Sequence, residues 1–252
     1  SYSSYGSATA TLAYLKNRLN GKTNAKVGSR LTDVTNAKYD AELAALEQTK
    51  VETVKQEIKK ENEAKKADIE RRRQEELEQL KVILPIGTSG SGKSTFIKSL
   101  PQENLVVIEP DAMRVEFTGD MNNKSKDKEI YIEAANRAIQ AIKEGKQVVF
   151  DTTNLTKDKR RPFIEAIKKA LPNANIQYKL MELNPELAKQ RIKAQLARGE
   201  NRANVSDETI DRHAESYRQM LKDIQNEPLT EFKTNEEINA KYDAELAELE
   251  NN

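Results

Sequence analysis

Residues 87–94 read Gly-Thr-Ser-Gly-Ser-Gly-Lys-Ser, the full G-x-x-x-x-G-K-[ST] spacing. The chemistry that suits this run is the holding of phosphate. Glycines let backbone N–H groups turn inward around phosphate oxygens, and the helix that follows adds the positive end of its dipole. Lys93 can reach the β- and γ-phosphates of a nucleoside triphosphate, and the Ser94 hydroxyl can ligate Mg²⁺. The expected nucleotide contacts are Gly87, Gly90, Ser91, Gly92, Lys93, Ser94 and Thr95. ATP and Mg²⁺ are the expected cofactors.

Two further stretches carry candidate chemistry. The first is Glu109-Pro110-Asp111-Ala112-Met113-Arg114. Asp111 could simply cap a helix. A carboxylate opposite a phosphate loop is also what a kinase needs to accept a hydroxyl proton. Arg114, one helical turn on, could hold an anionic acceptor. The second stretch is Asp151-Thr152-Thr153-Asn154-Leu155. Asp151 reads either as a Mg²⁺-linked carboxylate or as a helix cap. Arg191, Arg198 and Arg202 surround Gly199 and could form an arginine lid over the transferred group. Arg198, next to the glycine break, is the expected lid residue. His213 is the only histidine and reads as a helix surface residue, so the expected base is a carboxylate.

These residues need a scaffold that brings them together. Short apolar runs at 82–86, 105–108, 147–150 and 176–181 read as strands. Helical patterns at 93–100, 127–144, 157–170, 185–198 and 206–225 separate them. Buried strands alternating with helices predict an α/β fold, a parallel sheet with helices on both faces. Such sheets bind ligands beyond the carboxyl ends of their strands, where all three chemical stretches fall. The expected core domain is 81–228. Before it, residues 1–35 read as a flexible or partner-ordered arm. Residues 36–80 contain no Gly or Pro and read as a long charged helix, a coiled coil being one option. After it, 229–252 reads as a helical segment with a repeat. NAKYDAELAELE at 239–250 matches NAKYDAELAALE at 36–47 at eleven of twelve positions. Tyr39, Leu43 and Leu46 form one apolar stripe, and Tyr242, Leu246 and Leu249 form its copy. The copies read either as internal packing faces or as two docking faces for a protein partner or self-association.

Composition excludes several classes. Lys+Arg and Asp+Glu number 42 and 41, so no global basic field coats a duplex and any nucleic-acid contact must be local. The absence of Cys removes disulfides and thiolate metal sites. No apolar run approaches the ~18 residues of a membrane span, and the first residues lack the blocks of a signal peptide. A soluble cytoplasmic protein is expected.

The ordered set ILPIGTSGSGKST, IEPDAMR, VVFDTTNLTKDKRRPF and QLARGENRANVSDETI resembles the 5′-kinase domain of bacteriophage polynucleotide kinase and its relatives, over about residues 81–225. The resemblance implies a phosphate-loop kinase whose substrate is the 5′ end of a nucleic acid. It implies that Asp111 is the general base on the 5′-hydroxyl and that Arg114, assisted by Thr153, grips a neighbouring phosphate. Lys93 and Ser94 would hold the donor phosphates and Mg²⁺, and Arg198 would close over the transferred group. The family's D-T-N-L has one extra threonine here, so Asp151 and Thr152 both compete for its Asp position. Zeta-toxin-like kinases, which act on nucleotide sugars, share the loop, the D-x-x-R and the lid arginines. A third reading is a virion-associated structural or assembly protein carrying a kinase-fold module, incorporated in a phage virion.

Overall fold

The computed structural model describes residues 29–252, with side chains of the first helix from Thr32 onward. That helix, α1 (Ser29–Glu78), starts earlier than the sequence pattern predicts, so residues 29–35 belong to it. The rest of the expected N-terminal arm lies outside the described residues. Local interactions account for α1. It lacks Gly and Pro, and i,i+4 pairs such as Glu61–Lys65 and Asp68–Arg72, each at 3.0 Å, run along it. Among the described residues nothing covers Val51, Val54 and Ile58, which remain 50–52% exposed, so no coiled-coil seam is seen there.

The described residues divide into two compact units, one running to residue 72 and joined by 242–252, the other 73–241. The second holds a five-stranded sheet. Its strands are β1 (Lys81–Ile86), β2 (Leu105–Ile108), β3 (Gln147–Phe150), β4 (Asn175–Leu180) and β5 (Thr230–Glu231). The order is β2-β3-β1-β4-β5 and every pairing is parallel. β1 is buried at all six positions, as a central strand covered on both faces must be. The connecting helices are α2 (Lys93–Ser99), α3 (Pro110–Thr118), α4 (Asp127–Lys143), α5 (Lys157–Ala170), α6 (Pro185–Ala197) and α7 (Asp207–Asp223).

The core has two sides. Val82 and Leu84 pack with the small Ala134, Ala135 and Ala138 of α4 and with Phe163 and Ile167 of α5. Phe150 stacks on Phe163 with ring centroids 3.9 Å apart. On the other side Ile83 and Val149 pack with Ile97 of α2 and with Phe232. Phe232 and β5 lie within the segment that the sequence pattern assigns to the region after the core domain. The sheet therefore runs past residue 228.

The last helix, α8 (Asn235–Glu250), carries the second copy of the repeat. Within the first unit Tyr242 is 4% exposed and lies under the Arg72 guanidinium, which also pairs with Glu245. Ile69 of α1 is buried as well. Tyr242 of the second copy thus packs on the chain's own long helix, while Leu246 and Leu249 stay partly exposed. Asp68 and Glu245 between them fix Arg72, so this contact is ionic as well as apolar.

Candidate active site

A cavity of about 740 Å³ opens where the loops after β1, β2, β3 and β4 meet. Seven cationic side chains (Lys93, Arg114, Lys124, Lys159, Arg191, Arg202, Arg212) and five carboxylates (Glu109, Asp111, Asp151, Glu182, Glu200) line it. The cationic excess favours a polyanionic ligand.

Residues 87–92 link β1 to α2. Gly92 has φ +99 and occupies the N-cap of α2, a left-handed conformation that a side chain would strain. A Cβ at Gly90 would come 2.7 Å from the Ala188 carbonyl, so the loop can lie against α6 only as glycine. Lys93 folds back over the loop, its Nζ donating to the carbonyls of Gly87 at 3.2 Å and Thr88 at 2.8 Å. Burial pulls the Lys93 ammonium down to about 8, against the attraction of Asp151. Ser91 Oγ is buried without a hydrogen-bond partner. A buried hydroxyl left open, inward-turned loop backbone and an enclosed lysine fit a bound phosphate chain.

Lys93 gives this site a pH dependence. Phosphate favours the ammonium, and raising pH from 7 to 9 takes the empty site from mostly charged to mostly neutral. ATP affinity is therefore expected to fall by up to about tenfold over that interval. Titration calorimetry at the two pH values checks this, and an unchanged affinity would exclude Lys93 from the phosphate contact.

Asp111 and Arg114 share α3. Glu109 holds the N-cap position without a side-chain cap bond, and Asp111 lies inside the first turn. The capping explanation therefore fails for Asp111. Its carboxylate accepts from Arg114 Nη1 at 2.5 Å. Arg114 is also held by Asp127, which is the main cause of its raised affinity for the proton, with Asp111 adding to it. Burial pushes the Glu109 carboxyl up, with Asp151 and Asp111 adding to the effect.

Capping fails for Asp151 too, because Thr156 caps α5. Burial raises the Asp151 carboxyl while Lys93 lowers it. The turn after β3 is built around Asn154, which has φ 51 and is 2% exposed. Its Nδ2 donates to the carbonyls of Pro85, Phe150 and Thr152 at 2.9–3.0 Å. Gly87 N–H donates to Thr153 O at 3.1 Å, tying the phosphate loop to the same turn. Asp151, Thr152 and Thr153 all line the cavity. Thr152 hydrogen-bonds Tyr131 of α4, which also lines it.

Of the three candidate lid arginines, Arg191 and Arg202 line the cavity and Arg198 does not. Arg198 lies outside the cavity lining; its guanidinium is 60% exposed and pairs with Glu200 at 2.9 Å. It is the C-cap of α6, while Gln195 before it and Glu200 after it line the cavity. Arg191, Arg202 and Arg212 line the cavity instead. Arg191 Nη1 donates to Gly90 O at 3.3 Å, and Arg202 is held by Gln195.

His213 is half-buried. It lines the cavity, and its Nδ1 accepts from Ser89 N–H at 3.4 Å. Burial first, then Lys93, Lys159, Arg212 and Lys124, drive it down to about 4, so it is neutral at physiological pH. The spacing held a usable signal. Ile210, Ala214 and Tyr217 are the buried face of α7, and His213 lies three residues after Ile210 and four before Tyr217. Asp127, Tyr131 and Arg212 had no such signal, because nothing local marks them.

Among the described residues no group of three or more His, Asp and Glu side chains forms a metal cage. The residues that could hold Mg²⁺ are Ser94 and Asp151, a sparse set that suits an ion bound mainly through substrate phosphates and water. Among the described residues no helix is long and apolar enough to cross a membrane.

A search of curated protein sequences found no match. Among solved structures the chain is similar to one from the Pnkp1/Rnl/Hen1 RNA repair complex, at 21% identity and TM-score 0.49, over 57% of this chain and 46% of that one. It is similar to a putative kinase from Chloroflexus aurantiacus at 13% identity and TM-score 0.44, over 54% and 78%. It is similar to a gluconokinase from Sinorhizobium meliloti at 17% identity and TM-score 0.40, over 67% and 92%. The chain thus spans less than half the length of the first of these. The family model described as an AAA domain matches residues 82–220, from β1 through the phosphate loop to the last turn of α7. That is more than half of the 252 residues, and the chain belongs to this family.

Proposed function

We propose that this chain is an ATP-dependent kinase that transfers the γ-phosphate to a hydroxyl, the 5′-hydroxyl of a polynucleotide being the acceptor its motifs fit best. The observation that carries this reading is the placement of Asp111, paired with Arg114, in one cavity with Lys93 and the phosphate loop.

Each residue has a part. The loop N–H groups from Gly87 to Ser94 and the Lys93 ammonium hold the donor phosphates. Thr95 follows at the start of α2. Ser94 and Asp151 would hold Mg²⁺, which when bound offsets phosphate charge. Asp111 accepts the acceptor's hydroxyl proton at its carboxylate. Arg114 and Thr153 bind the acceptor's neighbouring anion. Arg191, Arg202 and Arg212 take the charge-stabilising part first assigned to Arg198.

Glu109 favours a second reading. It lines the cavity beside Asp111 and would repel a polyanionic strand, which suits a smaller acceptor such as a nucleotide sugar. The deciding assay offers ATP labelled in the γ-phosphate with 5′-hydroxyl oligonucleotides and, separately, nucleotide sugars. Label in the oligonucleotide is expected. Label only in the sugar selects the second reading, and label in neither sinks the kinase assignment. ATP with Mg²⁺ should also raise the melting temperature, and Lys93→Ala should abolish most of that rise. Equal rises in both proteins would remove the phosphate loop from the mechanism.

A further inference from the structure

Asp127 is the first residue of α4, and both of its carboxylate oxygens are engaged by Arg114. Oδ1 accepts from Nε at 2.8 Å and Oδ2 from Nη2 at 2.9 Å. This two-point fork fixes the plane of the guanidinium as well as its place. The third contact runs from Nη1 to Asp111 at 2.5 Å. A guanidinium carries five N–H donors, so one N–H is left on each terminal nitrogen. Arg114 lines the cavity and Asp127 does not. The side chain of Arg114 is 12% exposed, against 41% for Asp111. A ligand can therefore meet Arg114 only through its residual donors, and Asp127, from behind, sets where these lie relative to Asp111.

We infer that Asp127 is a positioning residue for the acceptor: it holds Arg114 so that its two remaining N–H groups bind an oxyanion on the acceptor while Asp111 faces the acceptor's hydroxyl. The acceptor class that uses this geometry is an alcohol with a phosphate close to the reacting hydroxyl. This rests on the kinase reading. Without Asp127 the guanidinium keeps only its single contact to Asp111 and loses its fixed plane, so it meets the acceptor's anion poorly. The donor nucleotide, held by the phosphate loop, is untouched.

The test uses the full chain, with a nucleoside 3′-monophosphate carrying a free 5′-hydroxyl as acceptor and ATP as donor. Asp127→Asn is expected to raise the acceptor's KM by roughly 10- to 100-fold, the scale of a misplaced charge-assisted hydrogen bond. The KM for ATP should stay within about twofold, since the phosphate-loop contacts are unchanged. Asp127→Glu, which keeps the charge and the fork, should recover most of the acceptor affinity. A merely structural role would move both KM values together and lower the melting temperature. An unchanged acceptor KM in Asp127→Asn, a parallel rise in the KM for ATP, or a Glu variant no better than Asn would overturn the assignment. If Asp127→Asn does not fold, the Glu variant decides by the same split between the two KM values. Absence of label transfer in the wild type would instead overturn the kinase reading, and the role of Asp127 with it; that failure shows in the wild type, the other only in the variants.

Discussion

Asp111→Asn is expected to lower turnover by about 10²-fold or more, the usual scale for loss of a general base, while ATP affinity stays near that of the wild type. The substitution is nearly isosteric. It keeps a hydrogen-bond acceptor for Arg114 Nη1 but cannot take a proton at neutral pH. The phosphate loop lies between β1 and α2 and Lys93 opens α2, whereas Asp111 sits on α3, so donor binding and proton transfer are separable. Single-turnover kinetics together with calorimetric ATP binding measure both. Full turnover in the variant would mean that another group is the base. His213, neutral and hydrogen-bonded to the loop, would then be the first residue to replace.

The second large effect concerns stability. Arg160 is completely buried and Glu227 is 5% exposed. They form two hydrogen bonds, at 3.2 and 2.6 Å, and Arg160 Nη1 donates to Asn154 O at 2.6 Å. Glu227→Ala leaves a buried guanidinium without its counter-charge. The expected cost is about 3–5 kcal/mol, because the desolvation of Arg160 is no longer offset. For a chain of this size that lowers the melting temperature by roughly 10 °C. The double variant Arg160→Met with Glu227→Leu should recover most of the loss, since an apolar pair needs no solvation. A loss under about 1 kcal/mol in Glu227→Ala, the range of exposed ion pairs, would show that water reaches Arg160. Catalysis should suffer as well. Asn154 holds the turn that presents Asp151, Thr152 and Thr153 to the cavity, so loosening its carbonyl contact should disturb these residues before the domain melts.

Arg160 also shows why part of the site was hidden. In the sequence it is one cation in Lys157-Asp158-Lys159-Arg160-Arg161, at the start of the helix predicted over 157–170. Its partner lies 67 residues away, and only the docking of α5 beside the chain leading to β5 joins them. Arg198 and Arg202 present the reverse case. Sequence places both near a glycine break, but only the end of α6 and the path of residues 199–205 decide that Arg202 enters the cavity and Arg198 does not.

The amino-acid sequence by itself determined the phosphate loop, four of the five strands, the alternation that makes the sheet parallel, and the long charged helix. Each depends on interactions spanning a few residues: glycine conformation in a turn, apolar runs of strand length, and i,i+4 pairs. It also placed Asp111, Arg114 and Asp151 at strand ends, where a parallel sheet gathers its ligands. Tertiary structure alone decided which arginines face the cavity, that His213 is enclosed by cations, that Asp127 grips Arg114, and that Tyr242 is buried under Arg72 of α1. It also added β5, whose two exposed residues carry no strand pattern and which exists because β4 offers it an edge. These features join residues far apart in the chain, and their energies come from burial and charge pairing that exist only once the sheet and its helices have closed around them.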